Sequence, residues 1–206
     1  VPELIPVLPV RNTVLFPNAA IPLIVGRAKS VRTVREAKKY GDILLVVAQK
    51  NASKDDPGSG DLYNVGVICL ISKVTQIDAD SFQLIANGLF RFRVSTYIDA
   101  EGYLSACGSK IPEIMNTSSQ TEALAAEVKE LGKSILNLAA IPGSESLTKL
   151  FVQISEPSHI ADLCCTFLHI PTNDKQKLLE TSDIEQRLTL LLEHMIREKE
   201  RLILQN

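Results

Sequence analysis

Few side chains in the sequence have the type and spacing that chemistry requires. Gly132-Lys133-Ser134 looks like the tail of a phosphate-binding loop, but the glycine needed five positions before the Gly-Lys pair is replaced by Glu127. The triplet also falls in the middle of a helical pattern rather than between strand and helix, which makes it helix surface with one poor helix former. Ser146 and Lys149 have the spacing of a Ser-Lys nucleophile pair but none of its companion motifs. Cys164-Cys165 with His159 and His169 is the one cluster of metal-ligand types. Cys165 and His169 share a face at i,i+4, yet a structural zinc site needs four nitrogen or sulfur ligands and no second pair follows. The adjacent cysteines read instead as small buried hydrophobes. His194 lies among leucines without an activating partner, and no paired carboxylates stand out. Asn51-Ala52-Ser53 and Asn116-Thr117-Ser118 match the glycosylation sequon, a frequent chance match. The expectation is a binding or assembly module with no catalytic residues, no metal site and no cofactor-binding residues.

The elements that carry these residues change character near Pro112, which divides the chain into 1–111 and 112–206. In the first part, short β-branched or aromatic runs at 7–10, 13–16, 21–25, 43–49, 65–77, 82–87, 89–97 and 103–108 predict strands. Gly88 separates two of them at a bend or bulge. Pro6, Pro9, Pro17 and Pro22 each remove a ladder donor, which predicts edge or irregular segments. Many short strands so punctuated suggest a closed or half-closed barrel. One helix, 29–40, places Val31, Val34 and Ala37 on a stripe ringed by Arg32, Arg35, Lys38 and Lys39, and Gly41 stops it. Its basic side could hold phosphates, but no aromatic residue is interleaved with it, which favours a solvated face. The polar stretch 50–61 predicts a mobile surface loop.

Beyond residue 117 the period becomes helical. Ser119 with Glu122 has capping-box spacing, and Leu124, Val128, Leu131, Ile135 and Leu138 follow as a buried stripe. Leu147, Leu150, Phe151 and Ile154 make a second helix ended by Pro157, and Ile160, Leu163, Cys164, Phe167 and Leu168 a third ended by Pro171. Leu178 and Leu179 mark a short fourth. Ser182 with Glu185 opens a fifth, with Ile184, Leu188, Leu191, Met195 and Leu202 inside. The charged run 197–201 has no stop signal, so this helix is expected to run on into further sequence.

The 206 residues, 45% hydrophobic and 22% charged, suit a folded domain, and a net charge of -2 disfavours general nucleic-acid binding. No apolar run approaches the roughly 18 residues of a membrane span, which points to a soluble protein. The four cysteines lack disulfide-scaffold density, so reduced thiols are expected. A start at Val1-Pro2-Glu3, without Met or leader, reads as a processed or excised piece.

The opening 5–17, with its Phe16-Pro17, the following Ile21-Pro22 and 23–27, and then Lys29-Ser30, closely resembles the amino-terminal domain of Lon-type ATP-dependent proteases. Ala48-Gln49-Lys50, Asp61-Leu62-Tyr63, Val65-Gly66 and Gly88-Leu89 with Arg91 continue the match in order. Glu156-Pro157, Ala161-Asp162-Leu163, Lys175-Gln176, Leu178-Leu179-Glu180, Glu185 and Arg187-Leu188 extend it through the helical part. The resemblance implies an α+β chain, with a PUA-like β pseudobarrel in 1–111 and an α-helical bundle ending in a long helix in 112–206. It implies a non-catalytic domain that recognises unfolded or damaged proteins and supports hexamer assembly. The ATPase module, with its ATP and Mg, and the Ser-Lys peptidase are expected elsewhere in a parent protein. The compartment it implies is a bacterial cytoplasm, or a mitochondrial matrix in a eukaryote.

Such a receptor needs an adaptable apolar surface or strand edge. Phe16, Pro17, Ile21 and Pro22 are the candidate edge, with Arg27 and Lys29 adding charge contacts; the competing reading places Phe16 and Ile21 in the core. Two alternatives stay open. PUA-like folds also occur in RNA-binding proteins, which the basic helix would serve, and the domain could be chiefly an assembly element.

Overall fold

The computed structural model describes residues 2–100, 102–114 and 118–206. Asn116 and Thr117 of the second sequon lie outside the described residues. The chain is α+β and forms two compact units, Val1–Pro112 and Glu113–Asn206.

The first unit contains β1 (Ile5–Val10), β2 (Ala20–Val25), α1 (Ala28–Ala37), β3 (Ile43–Ala48), β4 (Val65–Gln76), β5 (Phe82–Ala100) and β6 (Tyr103–Lys110). The sheet order is β2-β5-β4-β3-β1-β6, and β5 also pairs with β6. The last pairing closes β5, β4, β3, β1 and β6 into a ring, and among the described residues β2 pairs with β5 alone. Inside the ring, Ile5, Val7, Leu45, Ile68, Phe92 and Leu104 belong to one buried apolar cluster. Removal of these side chains from water is the main stabilising term.

The runs 82–87 and 89–97 form one strand, not two. Gly88 sits at a bulge, where β4 pairs Ile68 with Phe90 and Cys69 with Gly88, leaving Leu89 without an opposite number. The expected strand 13–16 does not form. Asn12 and Asn18 hold positive φ (55° and 64°) at either end of this stretch, and Val14, Leu15 and Phe16 bury their side chains without joining a ladder.

The proline rule also needs correction at β1, which pairs with β3 through Val7–Val10 and with β6 through Ile5 and Pro6. The strand tolerates Pro9 because its far side is covered by side chains. The Val7 carbonyl accepts from Thr33 Oγ1 (2.8 Å), and the Pro9 carbonyl from Arg27 Nη2 (2.8 Å). The missing N–H of Pro9 therefore points away from β3. Strand β2, which carries Pro22, is a true edge.

Helix α1 ends in a 3-10 turn, Lys38–Tyr40, with Gly41 at φ 74°. Its buried face is Ser30, Thr33, Val34 and Ala37, rotated slightly from the expected stripe because Val31 stays half-buried. The loop 50–61 lies on the surface and carries several internal hydrogen bonds. The buried Gln49 amide donates to the Asn51 and Lys54 carbonyls, and the Asp61 carboxylate accepts from Gly58 N–H (2.8 Å).

The second unit is α2 (Ser119–Ala139), α3 (Ser144–Gln153), α4 (Pro157–Phe167), α5 (Thr172–Glu180) and α6 (Ile184–Gln205). Both capping boxes shift by one residue. Ser118 caps α2 by accepting from Thr121 N–H, and Asp183 caps α6 by accepting from Gln186 N–H. Pro157 does not end α3, which stops at Gln153; it begins α4, where its missing N–H leaves no bond unmade.

The inner face of α2 is Thr121, Ala125, Val128, Gly132, Ile135 and Leu136, while Leu124, Leu131 and Leu138 are only half-buried. Gly132 is therefore core, not helix surface. A Cβ there would sit 3.0 Å from Phe151 Cζ, and Phe151 in turn meets Phe167 edge-on at 5.7 Å. Small residues bring α2 close to its neighbours, and that closeness selects the buried face.

Arg187 on α6 is fully buried. It donates from Nε to the Thr181 carbonyl (2.8 Å) and from Nη2 to Glu113 Oε2 and the Ser182 carbonyl (both 3.2 Å), and its Nη1 lies 3.6 Å from Asp162 Oδ1. One guanidinium thus holds α4, the α5–α6 turn and the segment entering the unit. The family-motif residues Asp162 and Arg187 meet here.

Cys69, Cys164 and Cys165 are buried and form no disulfide among the described residues; burial pushes Cys69 up to about 12 and Cys164 well above its ordinary value. Helix α4 stops before His169, which removes the i,i+4 relation with Cys165.

Candidate functional site

The junction between β2 and α1 brings together Pro22, Arg27 and Lys29 of the residues that the sequence singled out as candidate substrate contacts. β2 turns at Gly26 into α1, so Arg27 becomes the N-cap and Lys29 lies in the first turn. Arg27 is held as a fork, with Nη1 donating to Gln49 Oε1 (2.6 Å) and to the Asp55 carbonyl (3.4 Å) and Nη2 to the Pro9 carbonyl (2.8 Å). Three matched motifs, at Pro9, Arg27 and Gln49, are therefore one structural knot. Burial lowers the Arg27 pKa, and the like charge of Arg11 lowers it further, against the opposing pull of Asp55 and Asp56.

The loop reaches this knot through its acids. Arg11 Nη2 pairs with Asp55 Oδ1 at 3.2 Å, and Lys29 Nζ pairs with Asp56 at 3.1 Å and Asp99 at 3.3 Å. The hydrogen bond that Lys29 donates to Asp56 is the main reason the Lys29 pKa is raised, with burial working against it and Asp99 adding to it.

Two concavities flank Arg27. A groove of about 530 Å³ runs between Leu8 to Arg11 and Pro22 to Val25. A cavity of about 340 Å³ has Val7, Pro9 and Leu104 as apolar lining, with Arg27, Lys29, Asp55 and Asp56 among its polar residues. Ser30 borders both.

Of the residues expected to touch a substrate, Pro22 and Arg27 border the groove, and Arg27 and Lys29 border the cavity. Phe16 and Pro17 do neither. Both are buried, Phe16 completely, and the Phe16 carbonyl lies against Gly88. This conserves the core reading of Phe16 and removes it from the accessible surface. Ile21 is half-buried and pairs opposite buried Ala86, on the inward side with Leu23 and Val25.

The side chain that the sequence did not reveal is Ile24, 74% exposed on the outer side of β2. Pairing places it with Pro22, half-buried Ile85 of β5 and the exposed Leu70 of β4 on one outer face. The run AIPLIV is apolar throughout, so no alternation distinguished its two faces. Asp55 and Asp56 were also missed, although an adjacent acid pair before Pro57 in a polar loop was a usable signal.

On the basic helix, Glu36 pairs with both Arg32 (3.3 Å) and Lys39 (3.0 Å), and Arg32 also lies over the Tyr103 ring. The hydrogen bond from Lys39 is the largest cause of the lowered Glu36 pKa.

Residues 4–197 match the family model described as ATP-dependent protease La (LON) substrate-binding domain. The chain is 34% identical over 208 residues to "Lon protease 2" of Myxococcus xanthus, covering all of this chain and 25% of that protein. It is 32% identical over 207 residues to "Lon protease" of Dictyoglomus thermophilum, covering 100% of this chain and 26% of that protein. The chain thus spans about a quarter of the length of these curated relatives. Among solved structures, the N-terminal domain of Mycobacterium avium complex Lon protease matches 94% of this chain and 98% of its own, with a TM-score of 0.74 at 20% identity. The Lon N-terminal domain protein from Xanthomonas campestris has a TM-score of 0.65 at 18% identity, covering 92% and 96%. At these identities the structural likeness concerns the fold.

Proposed function

This chain belongs to the family of substrate-binding domains of ATP-dependent protease La (Lon), and on that premise we propose that it captures unfolded or damaged protein chains for such a protease. The observation that carries this reading is the outer edge of β2. Pro22 and Ile24 are exposed there beside a groove of about 530 Å³, on a strand that among the described residues has no neighbour on its second side. An unfolded chain offers apolar side chains and unpaired backbone groups, and a free apolar strand edge accepts both without demanding one sequence. ATP, Mg and peptide-bond chemistry belong, in this reading, to the remainder of a parent protein.

The test is fluorescence anisotropy with a labelled, permanently unfolded client, comparing the 206-residue chain with Ile24→Asp. The substitution places a charge on an exposed position, so the fold should be kept, and affinity should fall about tenfold, or 1.4 kcal/mol. Unchanged affinity in a normally folded variant would remove this surface from the assignment.

A role in hexamer assembly is supported by Ile196, Ile203 and Leu204, which stand exposed on α6. Sedimentation velocity with and without an unfolded client separates the two roles. A monomer at all concentrations that still binds client would leave assembly without support.

A further inference from the structure

We propose that the cavity at the amino end of α1 receives the free carboxyl terminus of an extended protein chain whose last residue is apolar. The inference rests on the client-binding reading above and narrows it to chain ends.

The first observation is the helix terminus itself. Ala28, Lys29 and Ser30 form the first turn of a ten-residue helix and line the cavity, with no acidic residue in that turn and no side chain capping it. The N–H groups of such a turn have no partner inside the helix and carry partial positive charge.

The second is Ser30. It is 4% exposed and lines the same cavity, and its hydroxyl makes no hydrogen bond to another described residue. The side chain is enclosed but its oxygen opens onto the cavity, so the hydroxyl is a donor available to an acceptor placed there.

The third is charge. Arg27 hydrogen-bonds only to neutral oxygens, from Pro9, Gln49 and Asp55, and among the described residues no carboxylate lies within ion-pair distance of it. A half-buried guanidinium, a free hydroxyl and an uncapped helix start together favour a small anion.

The lining decides which anion. Val7, Pro9 and Leu104 give the cavity an apolar wall, and its volume of about 340 Å³ suits one or two residues rather than a passing chain. Inorganic phosphate would leave that wall bare and would bring more charge towards Asp55 and Asp56. A terminal carboxylate brings a single charge and an apolar side chain on the same carbon. Asp56 now pairs with Lys29 at 3.1 Å, so an arriving carboxylate competes with it for the same ammonium group. The loop acid is in effect a weak internal competitor.

The experiment uses two N-terminally labelled peptides, Ala-Ala-Val-Leu with a free carboxylate and the same sequence as its carboxamide, titrated into the 206-residue chain by anisotropy. The carboxylate should bind at least about tenfold more tightly, as expected for charge-assisted hydrogen bonds. Ser30→Ala should narrow that gap several-fold, Asp56→Asn should widen it, and millimolar inorganic phosphate should leave the peptide bound. Equal affinity of the two peptides overturns the inference, as does displacement by phosphate, which would indicate an unselective anion site. If neither peptide binds but the unfolded client still does, chain-end capture fails while the client-binding reading stands; if the client also fails to bind, both fall.

Discussion

The Phe16 carbonyl oxygen occupies the place where a side chain at position 88 would stand, for a Cβ built on Gly88 comes within 2.2 Å of it. The contact is reinforced on both sides, with Asn18 N–H donating to the Gly88 carbonyl (3.0 Å) and Gly88 N–H to the Ala19 carbonyl (2.8 Å). Two widely separated sequence motifs, Phe16-Pro17 and Gly88-Leu89, are thus a single crossing of main chains. Gly88→Ala should destabilise the first unit by at least about 2 kcal/mol, since the clash is with backbone and must be relieved by moving a strand. Urea unfolding followed by circular dichroism measures this, and a change under about 0.5 kcal/mol would contradict the crossing.

Phe16→Ala follows from the same crossing. A completely buried phenylalanine truncated to alanine costs about 3–5 kcal/mol. Client binding should fall only in proportion to the fraction unfolded. Weakened binding at full stability would instead place Phe16 at the contact surface.

In the helical unit, Arg187 and Asp162 are both buried and face each other at 3.6 Å. Replacing Arg187 alone with a neutral residue of similar size takes this counter-charge from the buried Asp162 carboxylate, at a cost of about 3–5 kcal/mol, whereas replacing Asp162 alone costs less because Arg187 keeps its pair with Glu113 at 3.2 Å. Arg187→Met with Asp162→Leu should be clearly less damaging than the two separate losses combined. Denaturant midpoints around the double-mutant cycle give the coupling, and strict additivity would show that the two charges do not sense one another.

Asp61 supplies a pH signature. The Gly58 N–H bond, followed by the Lys54 ammonium, holds its carboxyl below the usual range. A group whose pKa is depressed by folding contributes stability above its unfolded value, about 3.9, and loses it as pH falls through the lower folded value. The Gly58 amide should therefore lose hydrogen-exchange protection as the solution is acidified below about pH 4. Asp61→Asn should have reduced protection already at neutral pH and little further dependence in that window. An identical acid profile in the variant would assign the transition to another group.

The sequence carried the helical unit well in its interior positions and poorly at its ends. Ile184, Leu188, Leu191, Met195 and Leu202 recur at helical spacing and are all buried. Ser119 and Ser182 were read as caps because several capping residues stand together, and only local backbone geometry shows which one accepts the bond. Gly132 was read as surface because a glycine gives no hydrophobic signal; its burial is set by Phe151, nineteen positions away in sequence. In the first unit the strand runs were legible and their punctuation suggested a closed or half-closed barrel, but the strand order was not, because pairing of β5 with both β4 and β6 leaves no mark on composition. The charged residues of the site, Arg27 and Lys29, were found from their position at a strand-to-helix turn. Their acidic partners were not found, since Asp55, Asp56 and Asp99 reach them only through the fold, and the adjacent acids before Pro57 were the one local hint.

The pairing of Ile5 and Pro6 with Ala106 and Ser105 joins the first strand of the β unit to the last. During synthesis the ring cannot close until β6 has left the ribosome, so β1, which can pair with β3 and meet α1 earlier, keeps its Ile5 and Pro6 edge open until then. A nascent chain stalled before residue 103 would expose the very kind of surface that the finished domain is proposed to recognise in others. A pause before β6 should therefore lengthen the time for which that edge stays open.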